Sequence, residues 1–176
     1  MYKYTICLIR KGERILLLNR NKKPTMGLWN GVGGKIEENE TPYEGVIRET
    51  FEETAIQLDS VTYKGNVIFK DKDEIEDNEG MYVFIADLPD EAHIATPLHT
   101  DEGILEWKSI DWILDDDNRG VISNLKKYLP RILEDDNNLE HTFIYENHTI
   151  VDYITSILSE NDMNKRYEKH LVSNRV

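Results

Sequence analysis

Apolar and polar positions along this chain separate strands from helices before any motif is considered. Residues 2–10 are rich in β-branched and aromatic side chains and read as a strand, with Lys11-Gly12-Glu13 as its turn. Residues 14–20, R-I-L-L-L-N-R, read as the returning strand, apolar enough to be covered on both faces. Residues 21–28 form a loop holding Lys22, Lys23, Pro24 and Gly27, followed by Trp29-Asn30-Gly31-Val32 and the pair Gly33-Gly34. The pattern then changes period. Thr41 is the expected N-cap of a helix over 42–55, Pro42 its first residue, and Glu44 the far half of a capping box. On it Val46, Ile47, Thr50 and Phe51 share one side, while Glu49, Glu52 and Glu53 share another. Two strands over 60–70 and 80–88 flank a charged hairpin loop over 71–79. A loop over 89–100 and a strand over 104–108 come next. Residues 109–117 read as a turn. Residues 118–133 read as a helix with an apolar stripe of Val121, Ile122, Leu125, Tyr128, Leu129 and Ile132. After an acidic connection over 134–140, residues 141–158 suggest a closing hairpin turned at Glu146-Asn147-His148, a short helix over 150–158 being the alternative.

Composition narrows the class. At 176 residues the chain has the length of one domain, and 39% hydrophobic with 31% charged residues is ordinary for a soluble globular protein. A net charge of −13 argues against a protein that grips long nucleic acid by neutralising its phosphates. Residues 161–176 hold four basic residues against two acidic ones, +2, which leaves −15 on residues 1–160. They are expected to be a polar tail, frayed or only partly helical, behind a domain over 1–160. The single cysteine, Cys7, lies in an apolar strand and reads as a buried inert thiol. His93 and His99 have no partners at metal-ligand spacing and read as loop histidines. No stretch reaches membrane-spanning length and the N-terminus lacks a signal-peptide pattern, so a cytoplasmic enzyme without a membrane partner is expected.

The candidate chemistry lies between Gly33 and Ile56. Three carboxylates at helix spacing repel one another, and a hard divalent cation such as Mg²⁺ reverses that cost while keeping positions open for water or phosphate. Paired glycines let backbone groups approach such a ligand closely. Arg48, four residues before Glu52, is placed to brace the cluster by charge-assisted hydrogen bonds. Glu102, at the mouth of the 104–108 strand, is a further carboxylate able to face the same cleft. The Asp115–Asp117 run suits either a helix N-terminus or a ligand role.

Gly34, Glu40 and Arg48-Glu49-Thr50-Phe51-Glu52-Glu53-Thr54-Ala55-Ile56 resemble the signature of the Nudix hydrolases, Gly-x5-Glu-x7-Arg-Glu-U-x-Glu-Glu-x-Gly-U with U aliphatic. Gly34, Glu40, Arg48, Glu49, Glu52 and Glu53 match its fixed positions. Thr50 stands where an aliphatic residue is usual and Ala55 where a glycine is, and a helix running slightly further would accommodate the alanine. The resemblance extends over residues 2–158 and is strongest to MutT-type enzymes that sanitise oxidised purine nucleotides. It implies an α/β fold, a mixed β-sheet sandwiched between helices (α/β/α). It also implies Mg²⁺-dependent hydrolysis of a nucleoside triphosphate such as 8-oxo-dGTP to monophosphate and pyrophosphate, with Mn²⁺ a possible substitute. ADP-ribose, nucleotide sugars and dinucleoside polyphosphates are alternative substrates, and a non-catalytic nucleotide-binding module is the alternative of another class. By the resemblance, metal binds Glu49, Glu52, Glu53, Glu102 and the Gly33 or Gly34 backbone, and Glu53 or Glu102 takes the proton of water. Arg48 orients the glutamates. Thr5, Asn30, Gly33, Gly34, Lys35 and two of Asp115, Asp116 and Asp117 bind substrate, an aspartate pair sharing one proton to read the purine edge. The expected partner is a small nucleotide, and the protein a monomer or homodimer.

Overall fold

The computed structural model describes residues 2–73 and 79–159, so the expectations for 161–176 and for the middle of the 71–79 loop lie outside the described residues. Twelve elements follow in chain order: β1 (Tyr4–Lys11), β2 (Arg14–Arg20), β3 (Trp29–Asn30), α1 (Pro42–Thr54), β4 (Thr62–Asp71) and β5 (Glu79–Asp87), then β6 (Leu98–Thr100), β7 (Gly103–Ser109), α2 (Ile110–Leu114), α3 (Leu125–Glu134), β8 (Leu139–Glu146) and β9 (Thr149–Ile157). The strands form one mixed sheet in the order β6-β7-β2-β1-β5-β4-β8-β9, with β3 paired to β2. β1 runs parallel to β5 and β4 parallel to β8, and the other pairs are antiparallel.

Strand alternation splits the core into two layers. Ile6 and Leu8 of β1 and Leu17 of β2 face one side, where Ile113 of α2 and Tyr128, Leu129 and Ile132 of α3 cover them. Cys7 and Ile9 face the other side with Leu16 and Leu18, against Val46 of α1. Helices thus cover both faces of a mixed sheet, which is the expected α/β class. Burial pushes the Cys7 thiol up to about 12 and leaves it unreactive at neutral pH. Among the described residues no helix is long and apolar enough to cross a membrane.

Several boundaries depart from the sequence reading. The helix expected over 118–133 begins only at Leu125, because residues 118–122 have other partners. Asn118 Oδ1 accepts from the Gly120 amide, an Asx-type turn that competes with helix. Trp29 N–H donates to the Gly120 carbonyl and Ile122 N–H to the Trp29 carbonyl, so this stretch pairs with β3. The 109–117 turn contains α2, capped by the Ser109 hydroxyl on Trp112 N–H. β6 forms within the expected 89–100 loop, and β8 starts at Leu139 inside the expected connection. Residues 150–157 are strand, not helix. α1 does not run on: Ala55 caps it at φ 57°, taking the left-handed conformation itself.

Candidate active site

α1 is set by its ends. The Thr41 hydroxyl accepts from Glu44 N–H at 3.2 Å while the Glu44 carboxylate accepts from Thr41 N–H at 2.8 Å, and Pro42 opens the first turn. Val46, Thr50, Glu53 and Thr54 face the sheet, whereas Phe51, expected on the apolar side, is 50% exposed. Glu53 therefore points inward, and Glu49 and Glu52 lie successively nearer solvent.

Arg48 organises the carboxylates. Its Nε and Nη2 donate to the two oxygens of Glu40, both at 2.8 Å, a bidentate pair. Its Nη1 donates to Glu49 Oε1 at 2.8 Å and Glu52 Oε2 at 3.1 Å, and Nη2 also reaches the Lys35 carbonyl at 3.0 Å. The hydrogen bond from Arg48 is the main force holding the Glu40 carboxyl below its usual range. One guanidinium thus ties the loop before α1 to two acidic residues on it.

Glycine is required at the turn facing these groups. Gly33 has φ +146° and its N–H donates to Glu53 Oε2 at 2.8 Å, and a Cβ there would stand 2.3 Å from the Thr5 carbonyl. A Cβ on Gly34 would stand 2.2 Å from Glu49 Oε2, so the bare backbone makes room for that carboxylate. Thr5 N–H donates to the Gly34 carbonyl at 2.9 Å, and the buried Thr5 hydroxyl has no partner among the described residues. Burial raises the Glu53 carboxyl to about 7. The Gly33 N–H and the positive charge of Arg20 work against this rise, and Glu49 and Glu102 add to it.

Gly33, Gly34, Glu49, Glu52, Glu53 and Glu102 line one cleft of about 910 Å³, together with the buried Thr5 and the exposed Lys35. Seven residues singled out in the sequence, and Lys35 with them, therefore line one cleft. Arg48 stands behind Glu49 and Glu52. Sequence reasoning missed Arg20, Thr25, Met81 and Thr100, which also line the cleft. Arg20 directly precedes the noted Lys22-Lys23 loop, and that clustering of cations was the available signal.

Four residues expected to bind substrate do not line this cleft. Asn30 does not line this cleft, and its Oδ1 accepts from Gly31 N–H at 2.9 Å. Asp115, Asp116 and Asp117 are exposed in the turn after α2, where Asp115 Oδ1 accepts from Asp117 N–H at 2.9 Å. The segment beside β3 is Gly120–Ile122, which carries no carboxylate. The buried proton-sharing aspartate pair is accordingly not assembled, because the register that joins Val121 to Trp29 leaves the acidic run outside.

The acidic group fits a hard cation by its all-oxygen donors and by the near-neutral Glu53, a carboxyl that burial favours in its protonated form without a counter-charge. Among the described residues no three acidic, histidine or cysteine side chains already form a metal cage. Arg48 takes one oxygen each of Glu49 and Glu52, and Gly33 N–H takes one of Glu53, which leaves the second oxygen of each carboxylate for a cation.

The NUDIX domain family matches residues 3–130 of this chain. A Bacillus subtilis protein described as the uncharacterized Nudix hydrolase YvcI is 33% identical over 113 residues, spanning 63% of this chain and 68% of that protein. The mouse oxidized purine nucleoside triphosphate hydrolase is 32% identical over 113 residues, spanning 62% and 67%. The crystal structure of a MutT protein from Bacillus halodurans is 28% identical, with a TM-score of 0.71 over 89% of this chain and 98% of that one.

Proposed function

Because this chain belongs to the Nudix hydrolase family and is a pyrophosphohydrolase, we propose that it cleaves a purine nucleoside triphosphate carrying an oxidised base, such as 8-oxo-dGTP, to monophosphate and pyrophosphate. The observation that carries the chemistry is the meeting of Glu49, Glu52, Glu53 and Glu102 with Gly33, Gly34 and Arg20 in one cleft. The base class is favoured by the likeness to the mouse hydrolase.

Glu49, Glu52, Glu53 and the Gly33–Gly34 backbone would hold Mg²⁺, or Mn²⁺ in its place. When bound, the ion supplies a more acidic water and neutralises charge on the phosphates. The protein's own part is positional. Arg48 keeps Glu49 and Glu52 in register, and the glycine turn admits the phosphate chain to the backbone. Water oxygen bonds to phosphorus, the anhydride P–O bond to pyrophosphate breaks, and the water proton passes to Glu53 or Glu102. Glu53 is the better placed acceptor, since its burial raises its basicity.

A phosphate-release panel with Mg²⁺, comparing 8-oxo-dGTP, dGTP, ADP-ribose and a diadenosine polyphosphate, tests the substrate. The highest kcat/KM is expected with 8-oxo-dGTP, and a higher value with ADP-ribose would replace this reading. Glu53→Gln should lower kcat by about 10²–10⁴-fold, the range lost with a general base, and unchanged turnover would remove Glu53 from that role.

A further inference from the structure

One ion-paired group at the cleft holds cations to which this chemistry gives no task. Lys22 Nζ lies 2.5 Å from Glu102 Oε1 and Arg20 Nη2 lies 4.0 Å from Glu102 Oε2. Backbone contacts fix their bases independently of the charges: Asn21 N–H donates to the Glu102 carbonyl at 3.0 Å, and Asn21 Nδ2 to the Asp101 carbonyl at 3.0 Å. Two observations make this more than a surface pair. Arg20 Nε–H is buried and has no partner among the described residues, although the residue lines the cleft. Arg20 and Glu102 also line the same cleft as Glu49, Glu52 and Glu53, which puts the group beside the α1 carboxylates.

Glu102 lines the same cleft as Glu49, Glu52 and Glu53, and turning its carboxylate toward them would give up the contact with Lys22 Nζ. A phosphate chain entering the cleft competes for the same cations. It carries more charge than a carboxylate and can also take the unused Arg20 Nε–H. An ion pair this exposed, with side-chain exposures of 55% and 30% for Lys22 and Glu102, is weak enough to exchange.

We propose that Lys22 and Arg20 form a phosphate-binding latch on Glu102: in the free protein they sequester its carboxylate, and a polyphosphate ligand takes them over and releases Glu102 toward the metal-binding carboxylates. Phosphate binding and cation binding are then coupled through one side chain, and by linkage each strengthens the other. This rests on the proposed metal-dependent reading of the same cleft. Lys22 and Arg20 bind phosphate, and toward the cation they are positioning residues acting through Glu102.

The test reads binding rather than turnover, so it stands apart from the substrate panel. Mn²⁺ affinity of the free protein is measured by titration for wild type, Lys22→Met, Glu102→Gln and the double variant, with inorganic tripolyphosphate binding measured on each in parallel. Lys22→Met should bind Mn²⁺ several-fold more tightly than wild type, because Glu102 is freed, while binding tripolyphosphate several-fold more weakly. Glu102→Gln alone should change Mn²⁺ affinity less than twofold and should abolish the gain when combined with Lys22→Met. Unchanged or weaker Mn²⁺ binding in a folded Lys22→Met protein would overturn the latch. So would a gain that persists in the double variant. A protein that binds Mn²⁺ as described but hydrolyses none of the panel would retain the latch and lose the proposed reaction.

Discussion

Ala55 is one of four non-glycine residues with positive φ among the described residues. It ends α1 at φ 57°, where a Cβ crowds the following carbonyl, and donates its N–H to the Phe51 carbonyl at 2.8 Å. Glycine adopts that geometry without the clash. Ala55→Gly should therefore stabilise the protein by about 1 kcal/mol, offset by the greater freedom glycine has in the unfolded chain. For a chain of this size that corresponds to a rise in Tm of about 2–4 °C, and a thermal melt showing no rise would mean the cap is unstrained. Gly34 is the opposite case. Glu49 Oε2 occupies the space a side chain would need, so Gly34→Ala should displace the carboxylate and weaken Mn²⁺ binding by more than tenfold while β1 stays intact. Titration with Mn²⁺ beside a circular dichroism spectrum separates that outcome from unfolding.

At the scale of elements, α1 behaves as a small machine whose parts are chemically distinct. Its capping box sets where it starts, Val46 and Thr50 fix its depth against the sheet, and Arg48 gathers Glu40, Glu49 and Glu52. Thr41→Ala should cost about 1 kcal/mol of stability through lost capping and leave activity at permissive temperature almost unchanged. Arg48→Lys should do the reverse. An ammonium cannot reproduce the paired bonds to Glu40 while also reaching Glu49, so divalent-cation affinity should fall about 10–100-fold with little change in the melt. Equal affinity in the two proteins would show that the clamp is decorative. These features were legible in the sequence because they are local: caps, glycine turns and i,i+4 charge pairs all lie within one stretch of chain. The start of α3 was not legible, because Val121 and Ile122 have the right spacing for a helix, yet Ile122 N–H and the Gly120 carbonyl hydrogen-bond to Trp29, some 90 residues earlier. The distance of Asp115–Asp117 from the cleft follows from the same cause. So does the omission of Arg20, whose meeting with Glu102 depends on β2 pairing with β7.

For the molecule as a whole, two buried groups set opposing responses to pH. Glu53 is 7% exposed and raised from 4.5 to about 7 by burial, a displacement worth on the order of 3 kcal/mol. Its folded form binds the proton more tightly than its unfolded form, so its contribution to stability is fully present below about 4.5 and is lost as pH rises toward 7. His141 is fully buried, with Nδ1 2.8 Å from the Tyr153 hydroxyl, and burial lowers it from 6.5 to about 4. Its folded form resists protonation, so its contribution is present above 6.5 and is lost as pH falls toward 4. Between about 4.5 and 6.5 the two oppose each other, and the cation-free protein should show a shallow dependence there. Glu53→Gln removes one side of the balance. Its stability to urea in a chelator should exceed that of wild type above pH 7 by about 2–3 kcal/mol, then fall steeply between pH 6.5 and 4, where His141 takes up a proton in the unfolded chain but not in the folded one. Saturating Mg²⁺ should stabilise wild type more at pH 8 than at pH 5.5, since the cation needs the ionised carboxyl, and should stabilise Glu53→Gln far less. A Mg²⁺ effect of equal size in both proteins would place the cation away from Glu53, and with it the catalytic assignment of α1 would fail.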